Sequence, residues 1–204
     1  MATILKLSTG CAGEHFVAYR LSAMNYLVAL TRGGSPAVDL MVATPNGEKT
    51  VTVQVKTAIQ ARFKSGWNWR LSSKAKELCG ESVFYAFVNL NDCVGEPSGA
   101  TPKPETMPEI FIIPADIVKS NLATFPHGSS KPTDFWFNII ENERDITDKL
   151  KGIWAEHGKW HEAWHLIKER LGDDGGLLVE QIESSDGHLP LGAVTLVAGN
   201  AREK

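Results

Sequence analysis

The sequence predicts an α/β fold built on a mixed sheet. Three observations predict it: a helix pattern at residues 10–24, three short β-rich runs in succession, and then an alternation of helix and strand patterns up to residue 171. The first two runs are followed by turn chemistry, which makes neighbouring antiparallel strands the natural product.

Ser8 or Thr9 can cap the first helix, expected from about Gly10 to Met24 with Val17, Leu21 and Met24 as its apolar stripe. Residues 26–31 are short, apolar and β-rich, and Arg32-Gly33-Gly34-Ser35-Pro36 reads as a turn. Residues 37–43 form a second strand, joined by Thr44-Pro45-Asn46-Gly47, a strong hairpin signal, to the third, TVTVQVKT at residues 50–57. A basic, Trp-containing segment at 57–76 holds a short strand at 67–71, and residues 73–79 a short helix. Residues 82–90, SVFYAFVNL, are apolar on both faces, as in a central strand covered on both sides. Residues 91–108 hold Pro97, Pro102, Pro104 and Pro108 among Gly, Asn and Ser, and read as a surface loop. A strand at 110–113, a helix at 114–122, a strand at 134–140 and a helix at 159–171 complete the domain. That last helix has Trp160, Trp164, Ile167 and Leu171 at helical spacing. Residues 1–171 are therefore expected to form one domain, and residues 172–204, with six acids against two bases, an acidic appendage.

Composition is that of an ordinary globular chain, 43% hydrophobic and 22% charged. A net charge of −3 means that a nucleic-acid partner would need a local basic patch. Cys11, Cys79 and Cys93 are scattered and odd in number, which excludes a disulfide framework and a zinc ribbon. The N-terminus has no signal-peptide pattern, and no apolar run reaches the ~18–20 residues of a membrane span, so the expected location is cytoplasmic.

The strand at 50–57 carries the first functional signal. Val51, Val53 and Val55 point one way, so Gln54 and Lys56 share the opposite face. Asp39 interrupts an otherwise apolar run, PAVDLMV, and the hairpin lays it beside Gln54 and Lys56. Glu14 falls on the apolar stripe of the first helix, where a carboxylate is costly unless paired or bound to a metal. Each has a bland reading: Gln54 and Lys56 as a solvated strand face, Asp39 as a turn cap, Glu14 as a partner of the helix dipole. Together they form a set suited to metal-assisted phosphodiester hydrolysis. Asp39 would be the main carboxylate ligand, Gln54 would offer its carbonyl oxygen, and Glu14 would complete the site directly or through water. Lys56 would orient the attacking water or offset charge on the phosphate.

The pattern of aspartate, hairpin and Gln-x-Lys resembles the PD-(D/E)xK nuclease superfamily. GSPAVDLMV followed by VTVQVK, with a glutamate on the preceding helix, looks like its archaeal Holliday-junction-resolvase branch. The later FYAFVNL and IFIIP strands look like bacterial members of the superfamily. The resemblance covers roughly residues 10–170 and implies a restriction-endonuclease-like three-layer fold, with a central mixed sheet flanked by helices. It implies Mg²⁺ or Mn²⁺ as cofactor, DNA as partner with RNA left open, a homodimer that cuts both strands, and Glu14, Asp39, Gln54 and Lys56 as the active positions. The sequence departs from the pattern at two places. Val38 stands before the aspartate where proline is usual, with Pro36 two residues earlier. Gln54 replaces the usual Asp or Glu, which removes one negative charge and weakens the hold on a metal. A binding module that kept the nuclease fold without its chemistry is therefore the alternative.

From Val55 to Lys76 there are six basic residues and no acid, with Phe63, Trp67 and Trp69 interleaved. Arg62, Lys64, Arg70 and Lys74 are candidate phosphate contacts, and Trp67 a candidate stacking surface. The other reading puts the tryptophans in the core and leaves only the charges outside. A competing motif is HEAWH at 161–165, which matches the H-E-x-x-H of zinc peptidases, with His161 and His165 as ligands and Glu162 as base. Against it, the histidines flank the apolar stripe, Lys159 precedes the motif, and no G-x-x-H continuation follows.

Overall fold

The computed structural model describes residues 2–31, 38–59, 62–63, 66–90, 107–124, 134–140 and 154–172. The expected turn at 32–36, most of the proline-rich loop at 91–108 and nearly all of the acidic segment at 172–204 lie outside these residues.

The chain opens with α1 (Ala2–Ala23), followed by β1 (Leu27–Leu30), β2 (Leu40–Ala43) and β3 (Thr50–Ala58). Helix α1 starts earlier than expected, and Ser8 and Thr9 lie inside it rather than at its cap. The residues before them, ATILKL, contain no helix breaker, so nothing local stops the helix there. Its end is set by Asn25, whose left-handed φ of 67° lets the Tyr26 amide donate back to the Leu21 carbonyl. The predicted hairpin between β2 and β3 is present: Gly47, with φ of 75°, supplies the turn, and its amide donates to the Thr44 carbonyl at 2.8 Å.

After β3 come β4 (Arg62–Phe63), β5 (Gly66–Ser72), a 3₁₀ turn (Ser73–Lys76), β6 (Val83–Asn89), β7 (Glu109–Pro114), α2 (Ala115–Thr124), β8 (Asp134–Ile140), β9 (Trp154–Glu156), α3 (His157–Trp160) and α4 (His165–Leu171). Strands β1-β2-β3-β6-β7 form a five-stranded mixed sheet, in which β3 and β6 run parallel and the other neighbours antiparallel. Strands β4-β5-β8-β9 form a second sheet.

Three layers result. On one face of the large sheet, Val17 and Leu21 of α1 and Ile167 and Leu171 of α4 pack on Leu40, Val42, Val51, Val53, Val55, Ala86 and Val88. On the other face, Tyr85, Phe87, Phe111 and Ile113 meet Trp67, Trp69 and Leu71 of β5, Phe137 and Ile139 of β8, and Val118 of α2. This explains why SVFYAFVNL is apolar on both faces: β6 is central and covered twice. Each fully buried aliphatic or aromatic side chain contributes about 1.5–3 kcal/mol, so both faces are strongly held. The expected α/β class and mixed sheet are present. The far layer differs from a purely helical one, because a second sheet shares it with α2.

The helix expected over 159–171 is broken. Trp160, Ala163, Trp164, Ile167 and Leu171 are all buried, as the spacing predicts. Between α3 and α4, however, His161 bridges Phe111, the Glu162 amide donates to the Ile110 carbonyl at 3.0 Å, and Glu162 takes a left-handed φ of 51°. The chain here pairs with β7 instead of completing a helix.

Candidate active site

Asp39 is fixed from both sides by its backbone. Its amide donates to the Val53 carbonyl at 3.1 Å, and its carbonyl accepts from the Thr31 amide at 2.9 Å. Strand β2 begins one residue later, at Leu40, whose register partner is Val53. The Asp39 side chain then continues the ladder in place of backbone: its Oδ2 accepts the Val55 amide at 2.7 Å. The same oxygen accepts from the Gln54 amide nitrogen. Gln54 is 8% exposed and is one of few buried polar side chains in the large sheet. The alternation of β3 puts Lys56 on that same face, two residues on.

Helix α1 lies unusually close to β3 at the residue before Glu14. A Cβ on Gly13 would fall 1.9 Å from Thr57 Oγ1 and 2.9 Å from Thr57 Cβ, so only glycine permits the approach. The next residue is Glu14, and its charge interacts with those of Asp39 and Lys56.

The electrostatics are those of partly desolvated charges. Burial pushes the Glu14 carboxyl up, and the neighbouring Asp39 charge pushes it further, while His15 and Lys56 oppose. Burial also raises Asp39, against the Val55 amide and Lys56, which lower it. Burial lowers the Lys56 ammonium, against Asp39 and Glu14, which raise it. Tyr85 of β6 belongs to the same neighbourhood: burial and the Asp39 charge push its phenol up to about 12. Tyr85 was not recognisable from the sequence, since its hydroxyl is carried inside an apolar run.

The donor set suits a hard cation. Asp39 and Glu14 offer carboxylate oxygens in each other's field, and a cation would relieve their mutual repulsion. Gln54 presents nitrogen to Asp39 here and would offer Oε1 after its amide turns over. Among the described residues no group of three His, Cys, Asp or Glu side chains converges, in keeping with glutamine at position 54.

The predicted nucleic-acid contacts divide. Arg70 and Lys74 are exposed. Arg62 is described only as backbone of β4, and Lys64 lies outside the described residues. Trp67 is corrected: it is 1% exposed, packs on Phe111 at 5.1 Å, and donates from Nε1 to Glu109 at 2.8 Å. Its ring is core and has no free face on which a base could stack.

The zinc-peptidase reading is also corrected. His161 and His165 do not share a helix, because residues 161–164 are non-helical. Glu162 is engaged elsewhere: both its oxygens accept from Arg20, at 3.2 and 2.6 Å, and Oε2 also accepts from Trp164 Nε1 at 2.6 Å. The motif's glutamate ties the α3–α4 link to α1, with the Arg20 guanidinium lying over the Trp164 ring at 5.1 Å. Among the described residues no helix is long and apolar enough to cross a membrane.

No protein-family model and no curated protein matches the chain. Among solved structures, the bacterial homing endonuclease I-Ssp6803I is similar over 80% of this chain and 92% of its own, at 16% sequence identity and a TM-score of 0.43. A likeness this distant carries no argument about what the chain does.

Proposed function

We propose that this chain is a divalent-metal-dependent nuclease that hydrolyses phosphodiester bonds, with DNA as its substrate and an endonucleolytic cut. The observation that supports it is the hydrogen-bonded pair of Asp39 and Gln54, with Lys56 on the same face of β3 and the charges of Glu14, Asp39 and Lys56 acting on one another. Asp39 and Glu14 would hold Mg²⁺ or Mn²⁺, with Gln54 Oε1 as a third donor. Bound there, the cation would polarise the phosphate and lower the pKa of a water. Asp39 is held in place by the Val55 amide through Oδ2, which leaves Oδ1 as the oxygen that would bind the cation. Lys56 feels the charge of both carboxylates, and its ammonium would orient the attacking water and offset charge building on the phosphate. Arg70 and Lys74 are surface cations suited to the phosphate backbone.

One observation favours a second reading, a nucleic-acid-binding module on the same fold. Gln54 already satisfies Asp39 with an N–H, and the site has two acids rather than three.

The deciding experiment is cleavage of supercoiled plasmid and of a branched DNA with Mg²⁺, Mn²⁺ or EDTA, wild type beside Asp39→Ala. Metal-dependent cutting that is lost in the variant is the expected result. DNA binding by folded wild type without cutting under either metal would overturn the nuclease reading in favour of the binding module.

A further inference from the structure

The row holding Asp39 and Gln54 has a third member. Gln54 is the register partner of Tyr85 in the parallel β3–β6 pair, so both side chains leave the same face of the sheet. Asp39 lies on the other side of Gln54, one residue beyond the Leu40–Val53 pair. With neighbouring strands about 4.8 Å apart, the three residues form a row roughly 10 Å long across β2, β3 and β6.

Tyr85 is 1% exposed and is stacked on Phe87, with centroids 5.5 Å apart. Phe87 is stacked in turn on Phe137 at 4.7 Å. The ring is therefore locked. Its hydroxyl has no hydrogen-bond partner among the described residues, although a tyrosine this deeply packed ordinarily finds one. A rigid ring thus carries an unmatched O–H donor on the residue paired with Gln54, where the Asp39 charge acts on it.

We propose that the Tyr85 hydroxyl contacts the substrate, donating a hydrogen bond to a non-bridging oxygen of the phosphate received by Asp39, Gln54 and Lys56. This rests on the nuclease reading above. A neutral phenol adds a donor without adding charge, and it acts on the β6 side of the phosphate, opposite Asp39.

The test is Tyr85→Phe, which keeps the ring and removes one oxygen. Because that oxygen is unmatched in the free protein, Tm should hold or rise. A lost hydrogen bond to a charged acceptor predicts a fall in kcat of about 10- to 100-fold with KM for DNA little changed. A second readout does not need turnover. The chain has three tyrosines, so [ζ-¹³C]tyrosine labelling gives three signals, and Tyr85→Phe identifies that of Tyr85. That signal should move when a short DNA duplex is added with Ca²⁺ in place of Mg²⁺. Wild-type rates in Tyr85→Phe with an unmoved signal would overturn the proposal, as would a lost rate accompanied by a large loss of Tm. If wild type cuts under neither Mg²⁺ nor Mn²⁺, the nuclease reading has failed, and the signal decides alone: movement on DNA retains Tyr85 as a ligand contact, and stillness removes it.

Discussion

Gly13→Ala tests whether the position of Glu14 depends on the close seat of α1 on β3. The added Cβ would lie 1.9 Å from Thr57 Oγ1, 2.8 Å from Cγ2 and 2.9 Å from Cβ. A rotation about χ1 can move the first two atoms aside. It cannot move Thr57 Cβ, which is fixed by the strand. Carbon atoms rest about 3.5–4.0 Å apart, so the helix must retreat by roughly 0.6–1 Å. Overpacking of this kind costs about 1–3 kcal/mol, and the unavoidable contact with Cβ places it near the upper end. Alanine returns about 1 kcal/mol of helix propensity. The net loss is about 2 kcal/mol, or a Tm lower by about 4–8 °C for a chain of this size. Glu14 retreats with its helix, and a displacement near 1 Å can cost a nuclease about 100-fold in rate. The assay is thermal unfolding and plasmid cleavage on wild type, Gly13→Ala, Thr57→Ala and the double variant. Thr57→Ala removes two of the three clashing atoms, so it should restore part of the stability lost in Gly13→Ala but not all. Strict additivity of the two changes, or a Gly13→Ala protein as stable as wild type, would refute the close seat and the origin of Glu14's position with it.

Gln54→Glu places a third acid against Asp39; its Tm should fall in EDTA and rise more steeply than wild type's with added Mg²⁺, read by differential scanning fluorimetry. Asp39→Asn should abolish cutting yet raise Tm at pH 7, because burial opposes the Asp39 charge and the amide oxygen can still accept from Val55 and Gln54. Its carboxyl is raised in the fold, so that cost is absent below the ordinary value of 3.8 and appears as pH climbs through the raised value; the gain in Tm should vanish on titration below 3.8. Glu162→Ala removes the acceptor for Arg20 and Trp164 and should lower stability by about 1–3 kcal/mol in chemical denaturation. His161→Ala together with His165→Ala should leave cleavage and metal content unchanged, as measured by plasmid assay and elemental analysis.

How much of this was legible in the sequence follows from the range of the forces involved. The period of two in TVTVQVKT and the Thr44–Gly47 turn are local signals, and together they set the register that puts Asp39 beside Gln54. Glu14 was visible because a carboxylate on an apolar stripe is anomalous wherever the helix packs. The second sheet was not visible: Trp67 and Trp69 among basic residues fit a stacking surface as well as a core, and only the long-range pairing of β5 with β8 decides. The break at Glu162 depends on Arg20, 142 residues away, and on the Ile110 carbonyl. Helical spacing survived that break in the burial of Trp160, Trp164 and Ile167, which shows that the spacing reported a buried face and not a continuous helix. Gly13 gave no signal either, since a glycine within a helix looks the same whether it is tolerated or required.

The site lies where the cover on the large sheet changes. On the face that bears Gln54, β6 and β7 are roofed by the second sheet, while Met41 on neighbouring β2 is 51% exposed. One cause, loss of water, acts on three charges with opposite signs: it raises Glu14 and Asp39 and lowers Lys56. The two acids favour the fold at low pH and lose that contribution as pH rises through their raised values. Lys56 favours it above its ordinary 10.5 and loses that contribution as pH falls through its lowered value. Near neutrality both effects oppose folding. A protein selected for stability alone would place apolar side chains on this part of β3, as it does on the opposite face with Val51, Val53 and Val55. Glutamine at position 54 moderates the conflict, because it bonds to Asp39 without adding a second negative charge beside it. A glutamine also attracts a cation less than a glutamate would, so under the proposed function cleavage should saturate at a higher Mg²⁺ concentration in wild type than in Gln54→Glu.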